Sequence, residues 1–127
     1  MITCLSLRTP FATKFTNGTH SARADAPKEK GGFETGFNPH ELLEAALGSC
    51  LNIWLRVYAG QHGIPLENLT ATVTLDKQDP ANAVFQYAFE FEGPLTAEQR
   101  RELLEAAHDC PIHQLLSGKI SFQCTSE

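Results

Sequence analysis

One segment constrains the fold of this chain more than any other. Asn38-Pro39-His40-Glu41 opens a helix with three concurrent signals: Asn38 can cap, Pro39 suits the first helical position, and Glu41 stands at capping-box spacing. The helix is predicted to run to about Ala59, where Gly60 and Gly63 supply stop signals. At 1.5 Å per residue such a helix is about 31 Å long, enough to cross a small domain. Its polar positions Glu44, Gly48, Asn52 and Arg56 recur every fourth residue on one narrow stripe, while Leu43, Ala46, Leu47, Leu51, Trp54 and Leu55 make the rest apolar. A helix apolar over most of its circumference belongs in a core. The charged and amide side chains within Leu42–Ala59 exclude a membrane span.

The remainder must cover that helix. Residues 2–8 and 11–16 read as short strands, Asn17-Gly18 is a two-residue hairpin signal, and 19–24 continues as the return strand. Residues 25–37, DAPKEKGGFETGF, form a polar, Gly-rich loop. Strands are predicted at 66–76 and 83–92, the second alternating Phe85, Tyr87, Phe89 and Phe91 on one face. Thr96 with Gln99 opens a second helix, which stops near Asp109 because Pro111 disfavours helical geometry at Cys110. A short helix over 111–116 and a last strand over 119–124 complete the order β-β-β-α-β-β-α-α-β, an α+β pattern in one domain, 1–127. A single six-stranded sheet cannot cover so apolar a helix on all sides, which points to self-association.

Charge narrows the partners. The net charge of -5 disfavours nucleic acid, whose phosphates recruit surplus Lys and Arg. Residues 1–30 hold five basic and two acidic side chains, so a mildly basic arm precedes an acidic remainder that it could pack against. MITCLSLRTPFATKF lacks the apolar run of a secretory signal, and a cytoplasmic location is expected. Structural disulfides are rare there. The four cysteines, Cys4, Cys50, Cys110 and Cys124, therefore need another explanation, and no CxxC spacing suggests a zinc ribbon.

Cys50 falls mid-helix, away from the polar stripe, with the small residues Gly48 and Ser49 leaving room beside its sulfur. Cys110 immediately precedes a helix start, where exposed N–H groups can stabilise a thiolate. Cys50 has no such help and, to react, must borrow positive charge from elsewhere. Cys4 and Cys124 read as small apolar fillers of terminal strands. A metal site is not expected: Cys50, Cys110 and His113 offer three ligands but no fourth.

NPHELLEAALGSC continuing through LNIWLRVYA resembles the reactive-cysteine signature of the OsmC/Ohr family, the osmotically inducible protein C and organic hydroperoxide resistance proteins. DCPIHQLLSGKI resembles that family's second-cysteine segment, and PHELL is similar to its OsmC-like branch. The resemblance extends from about Arg23 to Phe122. It implies an intertwined homodimer with antiparallel sheets wrapped around long central helices. It also implies a cytoplasmic thiol peroxidase of the oxidative stress response. Cys50 would be the peroxidatic thiolate that reduces an organic hydroperoxide to its alcohol, and Cys110 the resolving thiol that closes a Cys50–Cys110 disulfide. An external, lipoyl-type dithiol would reduce that bond, with no metal, haem or flavin and no membrane or nucleic-acid partner. An apolar pocket around Cys50 favours alkyl hydroperoxides by about 0.8 kcal/mol per buried CH₂.

The family pairs a Glu, two residues after the Asn of its NP motif, with an Arg from the amino-terminal strands. Here that position is His40, with Glu41 next to it and better explained as the capping residue. Arg23, on the strand before the loop, is the expected activating cation, with Arg8 as the alternative. His40 can hold a polar partner, with a charge that varies around neutral pH. Trp54, one turn beyond Cys50, is expected to line the cavity or the core, and His113 to sit in a turn or behind the site. The alternative function is a non-catalytic OsmC-like protein that binds a hydrophobic molecule in the dimer pocket.

Overall fold

The computed structural model describes residues 1–126. Its contacts group into two compact units, 1–44 and 45–127. In the first, β1 (Thr3–Ser6), β2 (Thr13–Thr16) and β3 (Ser21–Ala24) form an antiparallel sheet in sequence order. The predicted hairpin closes β2 onto β3. Gly18 takes φ +96, and Asn17 Oδ1 accepts the N–H groups of Thr19 and His20. After β3 the chain returns along it, Phe37 N–H donating to Arg23 O and Asp25 N–H to Phe37 O.

The loop between is organised by one side chain that sequence reading passed over. Asp25 is 3% exposed and accepts from the Thr35 hydroxyl at 2.7 Å and from the N–H groups of Ala26, Phe33 and Thr35. The Thr35 hydroxyl foremost, then these N–H groups, hold its carboxyl below the usual 3.8, against the opposing effect of burial. A short 3-10 turn, Lys28–Lys30, lies inside the same loop.

Helix α1 (Pro39–Gln61) begins as its sequence dictates, with His40 N–H donating to Asn38 Oδ1 and Glu41 Oε1 accepting from Asn38 N–H. It runs through Gly60 and stops at Gly63, which takes φ +64 while Ile64 N–H reaches back to Ala59 O. In the second unit its buried face is Leu47, Leu51, Leu55 and Ala59, one residue per turn. Strands β4 (Asn68–Asp76) and β5 (Val84–Glu92) pair antiparallel in the register Leu69↔Phe91, Ala71↔Phe89, Val73↔Tyr87 and Leu75↔Phe85. Every residue in those pairs lies on the inner face of the sheet. The predicted aromatic stripe is therefore the sheet's contribution to the core.

Two members of the α1 polar stripe, Gly48 and Asn52, face β4. Asn52 Nδ2 donates to Leu69 O at 2.9 Å, and a Cβ on Gly48 would stand 3.2 Å from Val73 Cγ2. Gly48 therefore serves close helix–sheet approach and does not make room beside Cys50. Helix α2 (Ala97–Ala106), with its Thr96–Gln99 capping box formed, covers another side. Trp54 Nε1 donates to Ala106 O, and Tyr58 Oη donates to Glu102 Oε1. A 3-10 turn, 107–109, leads into α3 (Pro111–Ser117). Leu51, Leu55 and Leu103 are fully buried in the core, each contributing about 1.5–3 kcal/mol of transfer free energy.

Two expectations are corrected. The predicted strand over 119–124 is irregular, since a strand exists only against a partner ladder and this segment pairs with none among the described residues; Phe122 is 95% exposed. Cys4 and Cys124 are exposed, because β1 is uncovered and the last strand does not form. In the single chain α1 is covered on part of its circumference only, by β4, β5 and α2, and Ile53 and Val57 remain 55% and 49% exposed. Among the described residues no helix is long and apolar enough to cross a membrane.

Candidate active site

The two motif cysteines meet in the second unit. Cys50, about three turns past the start of α1, and Cys110, the residue that precedes α3, place their Sγ atoms 2.7 Å apart as free thiols, the Cys110 thiol donating toward Cys50. Pro111 creates this meeting. It cannot donate an N–H and fixes its own φ, so the chain turns at Cys110 and starts a new helix there.

Their surroundings differ. Cys110 is 0% exposed and packs in the core with Leu47, Leu51, Leu55, Leu103, Ala106 and Ala107. Cys50 is half-buried and lines an open groove of about 440 Å³. Ser49, Ile53 and Trp54 of α1 and Pro111 and Ile112 of α3 form its walls with Cys50, and they are almost wholly apolar. The Trp54 bond to Ala106 O fixes the ring that walls the groove one turn beyond the sulfur, so Trp54 serves both packing and lining.

Burial pushes the Cys110 thiol up, and its hydrogen bond to Cys50 pushes the same way. The N–H groups of His113 and Ile112 do face the sulfur as the helix start predicts, and they lower it, but loss of water outweighs them. Cys110 is thus held as a protonated donor beside Cys50, contrary to the thiolate expected from its position alone.

The His113 ring does not line the Cys50 groove. It packs edge-on to Tyr87 and parallel to His108, beside a separate cavity of about 250 Å³ that Phe85, Leu116 and Ser117 also border. In the first unit, Arg23 lies exposed on β3 opposite Lys14, and Glu41 is occupied by the cap. His40 is exposed, its Nδ1 3.3 Å from Asn38 Oδ1. Among the described residues no three His, Cys, Asp or Glu side chains are grouped to hold a metal ion.

Comparison with known proteins agrees with this architecture. A peroxiredoxin OsmC of Escherichia coli K12 is 30% identical over 94 residues, which span 69% of this chain and 66% of that protein, just under two-thirds of its length. An OsmC-like protein of Mycoplasma pneumoniae superposes with a TM-score of 0.77 at 19% identity, over 93% of this chain and 86% of that one. An organic hydroperoxide resistance protein OsmC of Legionella pneumophila does so with a TM-score of 0.69 at 24% identity, over 93% and 88%. Residues 31–125, which carry the cysteine pair and its groove, match the family described as OsmC-like protein. The chain belongs to that family.

Proposed function

We propose that this protein is a cysteine-based peroxidase that reduces organic hydroperoxides. The observation that carries the reading is the pair of free thiols in contact at the edge of an apolar groove. The names of its relatives, peroxiredoxin and organic hydroperoxide resistance protein, point the same way. In this reading the alkyl group of the peroxide lies against Ile53 and Trp54. The Cys50 thiolate attacks the nearer peroxide oxygen, the O–O bond breaks, and the alkoxide takes a proton and leaves as alcohol. Cys50 is then a sulfenic acid. Cys110 loses its proton and attacks the Cys50 sulfur, releasing water and closing a disulfide, which an external dithiol of lipoyl type reduces by exchange. Arg23, or failing it Arg8, supplies the positive charge that favours the Cys50 thiolate, with His40 as its polar partner. A second copy of the chain completes the cavity in a homodimer, and the protein works in the cytoplasm.

The test is turnover of cumene hydroperoxide with dihydrolipoamide. Cys50→Ser is expected to abolish it, and one equivalent of peroxide to remove two of the four thiols together, sparing Cys4 and Cys124. Turnover that survives Cys50→Ser would refute the reading. An inactive wild type whose single tryptophan, Trp54, changes fluorescence when a fatty acid is added would indicate a binder of apolar molecules instead.

A further inference from the structure

We propose that reduction of the Cys50–Cys110 disulfide enters through Cys50, the external thiolate bonding to Cys50 Sγ while Cys110 departs. The inference rests on the reading that the pair cycles through a disulfide. It adds which sulfur the reductant must reach.

A thiolate attacks a disulfide along the S–S axis, from behind the sulfur it will bond to, so access behind each sulfur decides the regiochemistry. Behind Cys110 is the core. That residue has no exposed surface in a single chain, and Leu51, Leu55, Leu103 and Ala107, its companions in the core, are fully buried too. A thiol could reach it only by displacing side chains packed at interior density. Cys50, in contrast, lines the open groove. A partner chain can only bury Cys110 further, never uncover it. The departing sulfur also has a place for its charge: the N–H groups of Ile112 and His113 face Cys110 and favour its thiolate.

The step balances. The reductant's thiolate donates an electron pair to Cys50 Sγ, the intramolecular S–S bond breaks, and Cys110 leaves with the electron pair and takes up a proton. The second thiol of the dithiol, deprotonated, then attacks the reductant's own sulfur in the mixed disulfide, so that Cys50 leaves as thiolate and the reductant departs as a cyclic disulfide. Two electrons pass from the dithiol to the protein.

The experiment uses the Cys4→Ser/Cys124→Ser protein, both positions being exposed. The disulfide is formed with diamide, so that no peroxide chemistry is required, and is opened with 2-mercaptoethanol. The reaction is quenched into urea that contains N-ethylmaleimide, which unfolds the chain and traps the released thiol, and both modifications are located by peptide mapping. Mercaptoethanol is expected on Cys50 and maleimide on Cys110, in at least about tenfold excess over the reverse pattern. The reverse pattern, equal labelling, or failure of diamide to join the two cysteines would overturn the inference. Peroxide turnover is assayed on the same protein. Its absence, with mercaptoethanol still on Cys50, refutes the peroxidase reading and leaves the order of attack standing.

Discussion

Cys110 carries two opposed effects within one residue, and their balance sets a pH dependence. Burial and the hydrogen bond to Cys50 raise its thiol above the ordinary range, while the N–H groups of His113 and Ile112 pull it down without cancelling them. Resolution needs the thiolate, so a raised pKa makes the thiolate scarcer at neutral pH and its yield steeper in alkali. In the proposed cycle the Cys50 sulfenic acid should therefore live longest in mildly acidic buffer. Its disappearance should quicken steadily as the pH is raised from about 6 to about 9, measured by stopped-flow trapping with dimedone. A rate flat across that range would mean that Cys110 is already ionised. Asp25 shows the opposite sign. Its four donors, led by the Thr35 hydroxyl, keep it ionised below the usual 3.8, so its contribution is complete above that value and is lost as the pH falls through the lowered pKa. Asp25→Asn turns an amide donor toward N–H groups that need an acceptor. The variant should unfold at lower urea than wild type at neutral pH, with the gap closing below about pH 4.

At the scale of elements, the contact between α1 and β4 is set by what Gly48 lacks. A Cβ there would sit 3.2 Å from Val73 Cγ2, and a β-branched side chain would drive the helix off the sheet and strain the nearby Asn52–Leu69 hydrogen bond. Gly48→Val should cost about 1–3 kcal/mol in urea denaturation. Gly48→Ala asks Val73 for a few tenths of an ångström against the gain in helix propensity, and should lie near neutrality. Most elements were legible because their signals are local: the Asn38–Glu41 cap, the Thr96–Gln99 box, the Asn17-Gly18 hairpin and the alternation of Phe85 to Phe91. The cysteine pair was legible from two motifs. What escaped depends on neighbours. Residues 119–124 alternate like a strand, but alternation does not supply a ladder partner. Asp25 was hidden in a loop whose Gly-rich composition says nothing of which carboxylate gathers its N–H groups. His113, three residues after Cys110, turns its ring toward Tyr87 and His108, contacts that only the folded neighbours supply.

For the whole molecule, the decisive quantity is the apolar surface left on α1 in a single chain. Ile53 and Val57, half exposed and one turn apart, flank the Cys50 groove, whose lining is apolar apart from Ser49 and the thiol itself. Water against such a surface costs about 25 cal/mol per Å² of apolar area, so covering it favours association. The proposed homodimer is the assembly that would cover it, and Ile53 is the probe, since a charge there cannot be desolvated without a partner. Wild type is expected to sediment at twice the chain mass of 14.0 kDa. Ile53→Asp should shift it toward monomer, with a dimer dissociation constant weakened by at least about tenfold for a cost of 1.4 kcal/mol or more. Because Ile53 is exposed in the isolated chain, the variant keeps its core and its far-ultraviolet circular dichroism should be unchanged. Dimers that persist undiminished in Ile53→Asp would mean that the subunits join by another surface and that the groove beside Cys50 opens directly to water.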